Sequence, residues 1–145
     1  MNLRDCAVEE LDELPTGFRH LSARVRPAIG GVQIGCSIYE LPPGEQLWPY
    51  HWHVGNEEWG IVVDGTPTLR TPAGERELRA GDVVGFVQGE AGAHTFVNGS
   101  DAAVRIALFS TLRPGSVAYP DSGKVGARGQ YFRLADAVDY WDGEL

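Results

Sequence analysis

Lysine is almost missing from this chain. Lys124 is the only one, and 12 basic side chains face 20 acidic ones for a net charge of -8. No run of Lys or Arg supplies the clustered basic face that a phosphate backbone requires, so nucleic acid is not an expected partner. Cysteine is scarce too: Cys6 and Cys36 do not make a disulfide framework. Cys36, set among apolar neighbours, reads as a small buried hydrophobe. Long apolar runs are absent, since nothing approaches the ~20 residues of a membrane-spanning helix. Met1 to Glu10 lacks the apolar region of a signal peptide. A soluble, reduced, cytoplasmic protein with no membrane partner is the expectation.

Glycine and proline, by contrast, are plentiful: 19 and 9 residues punctuate the chain at short intervals, and helix formers are sparse outside its ends. That pattern favours short strands and tight turns. At 145 residues the chain suits one domain, 1–145. Val32 to Tyr39 alternates apolar with small or polar residues, as a half-buried strand does. Leu47 to His53 and Glu58 to Val63 read as strands, the second closed by the hairpin signal Asp64-Gly65. Thr66 to Thr71 and Arg76 to Arg79 flank a turn at Pro72 to Glu75. Val83 to Val87, the segment carrying His94, and Val104 to Phe109 follow. Some eight short strands between about 32 and 112 argue for a β-sandwich or barrel. Around this core lie an N-terminal extension, 1–31, and a C-terminal arm, 113–145. In the extension, Val8 to Leu14 predicts a weak helical turn ended by Pro15 and Gly17. Arg24 to Arg26 predicts the end of a short strand. His20 is expected to be exposed or hydrogen-bonded there. In the arm, 114–129 predicts a docked loop, and 134–141 a short helix or packed arm whose aromatics rest on the barrel or on a partner subunit.

Three of the four histidines fall in two segments, His51-Trp52-His53 with Glu57-Glu58 behind it, and His94 with Asn98 behind it. Histidines at i and i+2 on a strand share a face. A carboxylate beyond the Val54-Gly55-Asn56 turn returns to that face from the next strand, and a third imidazole closes a cluster of three nitrogens and one oxygen. Such a cluster leaves metal positions open for water or substrate. Parity then turns Gly60, Val62, Phe96 and Asn98 inward and Trp59, Ile61 and Val97 outward. Asn98 reads as a structural hydrogen-bonding residue. Tyr39, Tyr50 and Arg70 are further polar candidates.

These residues resemble the cupin family. Its first motif corresponds to Gly44, His51-x-His53, Glu58 and Gly65, and its second to Gly81, Gly89, His94 and Asn98. Both Glu57 and Glu58 reach the strand start; the six residues between Glu58 and Gly65 match the motif and select Glu58. Glu57 is then expected to face solvent or to support a ligand. The chain departs from the pattern with six residues rather than five between Gly44 and His51, Val87 in place of a proline, and four residues rather than two between Gly89 and His94. The resemblance covers about 32–112. It implies an all-β, double-stranded β-helix, a jelly-roll-like barrel, and looks most like the small single-domain bacterial cupins. It further implies a homodimer and a divalent metal in the barrel mouth held by His51, His53, Glu58 and His94. Fe, Mn, Ni, Co, Cu and Zn all suit that ligand set.

The expected partner is therefore a small molecule. Three readings follow. One is a metal-dependent enzyme, an oxygenase or isomerase, in which the ion acts as Lewis acid or activates water or dioxygen. The second is a non-catalytic binding or sensing protein, and the third a metal-free epimerase-like cupin with a histidine base.

Overall fold

Strands of this chain form where small and apolar residues alternate, and they stop at glycines that take up a positive φ, such as Gly44, Gly65 and Gly81. The computed structural model describes residues 1–144. Its elements are β1 (Glu9–Glu10), β2 (Leu21–Arg24), α1 (Val25–Ala28), β3 (Ile34–Leu41), β4 (Gln46–Val54), β5 (Glu58–Asp64), β6 (Thr68–Thr71), β7 (Gly74–Glu77), β8 (Val83–Phe86), β9 (His94–Val97), β10 (Val104–Thr111), β11 (Ser116–Tyr119), β12 (Lys124–Ala127) and β13 (Gln130–Arg133). Two antiparallel sheets result, ordered β1-β2-β3-β10-β5-β8 and β13-β12-β11-β4-β9-β6-β7. The all-β, jelly-roll expectation holds.

The barrel interior is filled by Leu41, Leu47, Val62, Leu69, Phe86, Phe96, Val104 and Ile106, all buried. Alternate residues of β3 serve two layers. Leu41 faces this interior, whereas Cys36 and Ile38 join Val25, Val63 and Ala107 in a second cluster on the outer face of the six-stranded sheet. Leu3, Cys6 and Val8 pack over that second cluster. The N-terminal segment is thus a cover for a sheet face that would otherwise meet water.

Several local expectations are corrected. Val8 to Leu14 forms no helix: Glu9 and Glu10 pair with Leu21 and Ser22. Val8 packs on the outer cluster instead, because so short a helix has too few hydrogen bonds to offset its nucleation. The strand at Arg24 ends there and a helical turn takes Val25 to Ala28. His20 is 1% exposed, with Nδ1 bonded to the Phe18 carbonyl, so of its two expected states it is the hydrogen-bonded one. The 114–129 stretch is not a loop but β11 and β12, with β11 extending the sheet beside β4. At the C-terminus a single 3-10 turn, Leu134–Asp136, replaces the expected helix. Tyr140 and Trp141 stay exposed, edge to face on each other rather than docked on the barrel. Of the arm expected to run to 145, residue 145 lies outside the described residues.

Candidate metal centre

β4 carries the first two histidines, and its irregularity sets where they point. Pairing with β9 is regular at Gln46 and Leu47, breaks, and resumes with His51 opposite His94. In the break Trp48 adopts φ 54°. Such a bulge re-aims the side chains beyond it. β5 brings Glu58 to the same place from the neighbouring sheet. Its parity is as expected: Gly60 and Val62 are buried while Trp59 is exposed. Glu57 accepts the indole N–H of Trp59 at 3.0 Å on the exposed side, so of the two carboxylates Glu58 is the inward one.

Nε2 of His51 lies 3.1 Å from Nε2 of His53. Oε2 of Glu58 lies 3.0 Å from His53 Nε2 and 3.4 Å from His94 Nε2. Ligand atoms of His51, His53 and Glu58 all stand within 4.8 Å of one another, a group that could hold a metal ion. The rings of His51 and His94 are 4.8 Å apart, centroid to centroid. Of the four residues singled out from the sequence, His51, His53 and Glu58 thus form one group, and His94 stands against it beside Glu58 and His51.

The far nitrogens explain the orientation. His51 Nδ1 meets the Pro49 carbonyl at 2.8 Å and His94 Nδ1 meets the Gly92 carbonyl at 2.9 Å. A carbonyl only accepts, so each Nδ1 carries the proton, and in a neutral ring Nε2 is left as a bare lone pair. Phe86 stacks flat on His94, 3.6 Å between centroids and 7° from parallel, which fixes its plane. Among the described residues His94 Nε2 is buried without a hydrogen-bond partner. The His51 pKa is lowered to about 4, chiefly by burial and then by the charges of His94 and His53. Burial alone would raise the Glu58 carboxyl, but the His53 and His94 ring edges, 3.0 and 3.4 Å from it, override that and hold it well below the usual carboxylate range. Lone pairs and a carboxylate facing one another at such distances call for positive charge between them. The donor set fits a divalent cation.

The cluster opens on a cavity of about 450 Å³. Tyr39, Trp48, Leu108, Ser110 and Tyr119 line it, together with Arg24 and Arg26 from the N-terminal extension. Tyr39 was singled out from the sequence; Tyr50 and Arg70 lie elsewhere, Arg70 stacking 4.0 Å over the Tyr50 ring. The two phenols on the wall are poor bases. Tyr119 is pushed up to about 12 by burial and by Tyr131, and Tyr39 is raised mainly by burial. Asn98 has the structural role expected of it, its amide bridging the carbonyls of Leu41 and Ala102. Sequence reasoning missed Arg24, Arg26 and Tyr119. The only signal was an arginine pair at i, i+2 and a tyrosine at the head of a turn.

Residues 37–111 match the family model of the cupin domain. The chain belongs to the cupin family. No curated protein matches its sequence. Among solved structures it is similar to a candidate sugar phosphate isomerase from Acidithiobacillus ferrooxidans, at 24% identity and TM-score 0.82 over 94% of this chain and 91% of that one. A cupin-superfamily sugar phosphate isomerase from Silicibacter pomeroyi gives 23% identity and TM-score 0.80 over 98% and 97%. A predicted oxalate decarboxylase from Thermotoga maritima gives 19% and 0.62 over 77% and 97%. At such identities the likeness is one of fold. No helix among the described residues is long and apolar enough to cross a membrane.

Proposed function

We propose that this chain is a metal-binding cupin that takes up a small organic molecule at a divalent ion held by His51, His53, Glu58 and His94. One observation carries the reading: His51 and His94, each with Nε2 turned inward by a backbone carbonyl on the opposite nitrogen, stand with His53 around the half-buried, ionised Glu58 carboxylate. Such an ion would supply Lewis acidity toward an oxygen of the bound molecule. The protein's own residues shape the cavity, hold the imidazoles as neutral donors and keep Glu58 charged. Fe, Mn, Ni, Co, Cu and Zn all remain compatible with the donors.

Among reactions, isomerisation of a small oxygen-rich compound is favoured. The two neighbours that align over nearly the whole chain bear sugar phosphate isomerase names. The raised pKa of both cavity phenols favours a second reading, a non-catalytic binding protein, because neither phenol is suited to take up a proton as a general base. The chain is taken to act as one cupin unit, in the cytoplasm. It is also taken to be a homodimer, a reading supported by the exposed groove of Ile34, Trp59 and Phe109 on the six-stranded sheet.

Elemental analysis of tag-free protein tests the site. Near-stoichiometric divalent metal is expected in the wild type and its loss in His53→Ala and His94→Ala. Full occupancy in both variants would sink the assignment. Incubation of phosphorylated sugars with the metal-loaded protein, followed by analysis of the products, then separates the two readings, since isomerisation converts the sugar and binding alone leaves it unchanged.

A further inference from the structure

The cavity has the opposite charge character to the molecule around it. The protein carries a net charge of -8, yet the charged side chains on the cavity wall are Arg24, Arg26 and Glu58. Glu58 is already engaged by His53 and His94. The arginines that form ion pairs are Arg4, Arg19, Arg70 and Arg105. Arg24 and Arg26 form none among the described residues.

Their placement is built by the fold. Val25 between them is 3% exposed and anchored among Cys36, Ile38 and Ala107. The strand ends at Arg24, and the helical turn that follows is closed by Gly31 N–H donating to the Arg26 carbonyl at 3.0 Å. A Cβ on Gly31 would lie 2.9 Å from Cγ of Arg26, so the arginine stem rests against a position kept free of side chain. The charge of Arg24 reaches the cavity phenol of Tyr39, where it works against the burial that raises that group.

A guanidinium fork matches phosphate oxygens two at a time, and two forks match a dianion better than a monoanion. A cavity of about 450 Å³ is of the size that holds a small metabolite. We propose that Arg24 and Arg26 are the anion-binding residues of the cavity, and that its ligand is a small phosphomonoester whose phosphate they hold while its polar end faces His51 and His53. This deepens the proposed ligand site and rests on it for the cavity, but not on the presence of a metal.

The test is calorimetric titration of the protein as purified with glycerol 3-phosphate, inorganic phosphate and, as the carboxylate counterpart, glycerate. Metal content is measured on the same samples. Saturable binding of glycerol 3-phosphate is expected. Arg24→Gln and Arg26→Gln should each weaken it tenfold or more, the double variant should abolish it, and metal content should not change. Gly31→Ala, which keeps both charges but displaces the Arg26 stem, should weaken it as well. Both arginines are solvent-accessible, and an unchanged circular dichroism spectrum and melting temperature confirm that the variants fold. Undiminished affinity in the double variant, no binding to the wild type, or preference for glycerate would each overturn the proposal. A metal-free wild type whose phosphate binding still depends on the arginines would defeat the metal reading and leave this one standing.

Discussion

His51 and His53 approach each other through their unshielded Nε2 atoms at 3.1 Å, with the Glu58 carboxylate 3.0 Å from the second. His51 Nδ1 is bonded to the Pro49 carbonyl, so its Nε2 lone pair is turned toward His53 and Glu58, where a cation would find ready donors, and the folded state should gain from one. Adding excess Mn²⁺ or Zn²⁺ to chelator-treated protein is expected to raise its melting temperature. A ligand at 100 times its Kd stabilises by about 2.7 kcal/mol. His94→Ala should show little of that shift when both are followed by scanning calorimetry.

Gly92 carries the carbonyl that orients His94, and a Cβ there would fall 1.8 Å from the Val87 carbonyl oxygen. The obstacle is backbone, which cannot swing aside as a flexible side chain does. Gly92→Ala should therefore move the 89–93 turn and destabilise by about 2 kcal/mol or more, within the range of strongly disruptive core changes. Metal occupancy should fall with it, read by elemental analysis of whatever fraction folds.

Asn98 is fully buried, donating to Leu41 and Ala102 and accepting the backbone N–H of Ser100 at 3.0 Å and its hydroxyl at 2.7 Å. Replacing it by leucine orphans these groups at about 1–3 kcal/mol for each one left buried and unpaired. Asn98→Leu should lower the urea midpoint sharply. Metal affinity in the protein that remains folded should be unchanged, because Asn98 is spent on turn carbonyls.

His20 sits edge-on to Trp48 and Tyr39, with Nδ1 on the Phe18 carbonyl and Nε2 buried without a partner among the described residues. Burial lowers its pKa below the usual imidazole value, although the backbone bond works the other way. Between the lowered folded value and the ordinary ~6.5 the unfolded chain binds more protons than the fold does, so stability rises with pH across that window. Its contribution is complete above ~6.5 and is lost as the pH falls below it. Denaturation at pH 7.5 and pH 5 should show a steeper loss in the wild type than in His20→Phe. Equal losses would remove His20 as a source.

Arg70 holds Asp121 through both carboxylate oxygens, at 2.6 and 2.9 Å, and so ties the turn after β11 to the barrel. That turn follows Tyr119, which lines the cavity beside His51. The pair is well exposed, so Asp121→Asn should cost at most about 1 kcal/mol of stability. Its larger effect should be on ligand affinity, through looser placement of Tyr119, measured by titration with glycerol 3-phosphate.

The strands and the inward face of the site were legible because both rest on short-range periodicity. A period of 2 puts His51 with His53, and Glu58 with Gly60 and Val62, whatever the rest of the chain does. Glycine turns mark the strand ends by a backbone conformation that other residues resist. The same local rules mislead where the decisive partner lies far away in sequence. Val8 to Leu14 looks helical, yet Glu9 and Glu10 add to a strand edge while Val8 covers the outer cluster. Residues 114–129 look like loop because nothing near them says that the edge of β4 is open.

By itself the amino-acid order determined an all-β barrel and which side chains share its inward face, since pleat and turn chemistry act over a few residues. Only the tertiary structure decided that His51 lies opposite His94, that Pro49 and Gly92 carbonyls turn both Nε2 atoms inward, and that Arg24, Arg26 and Tyr119 wall the cavity. Those relations depend on a bulge and on the packing of the 24–26 segment and of β11 against the barrel. Their energies come from burial and charge between residues distant in sequence, which no local pattern encodes.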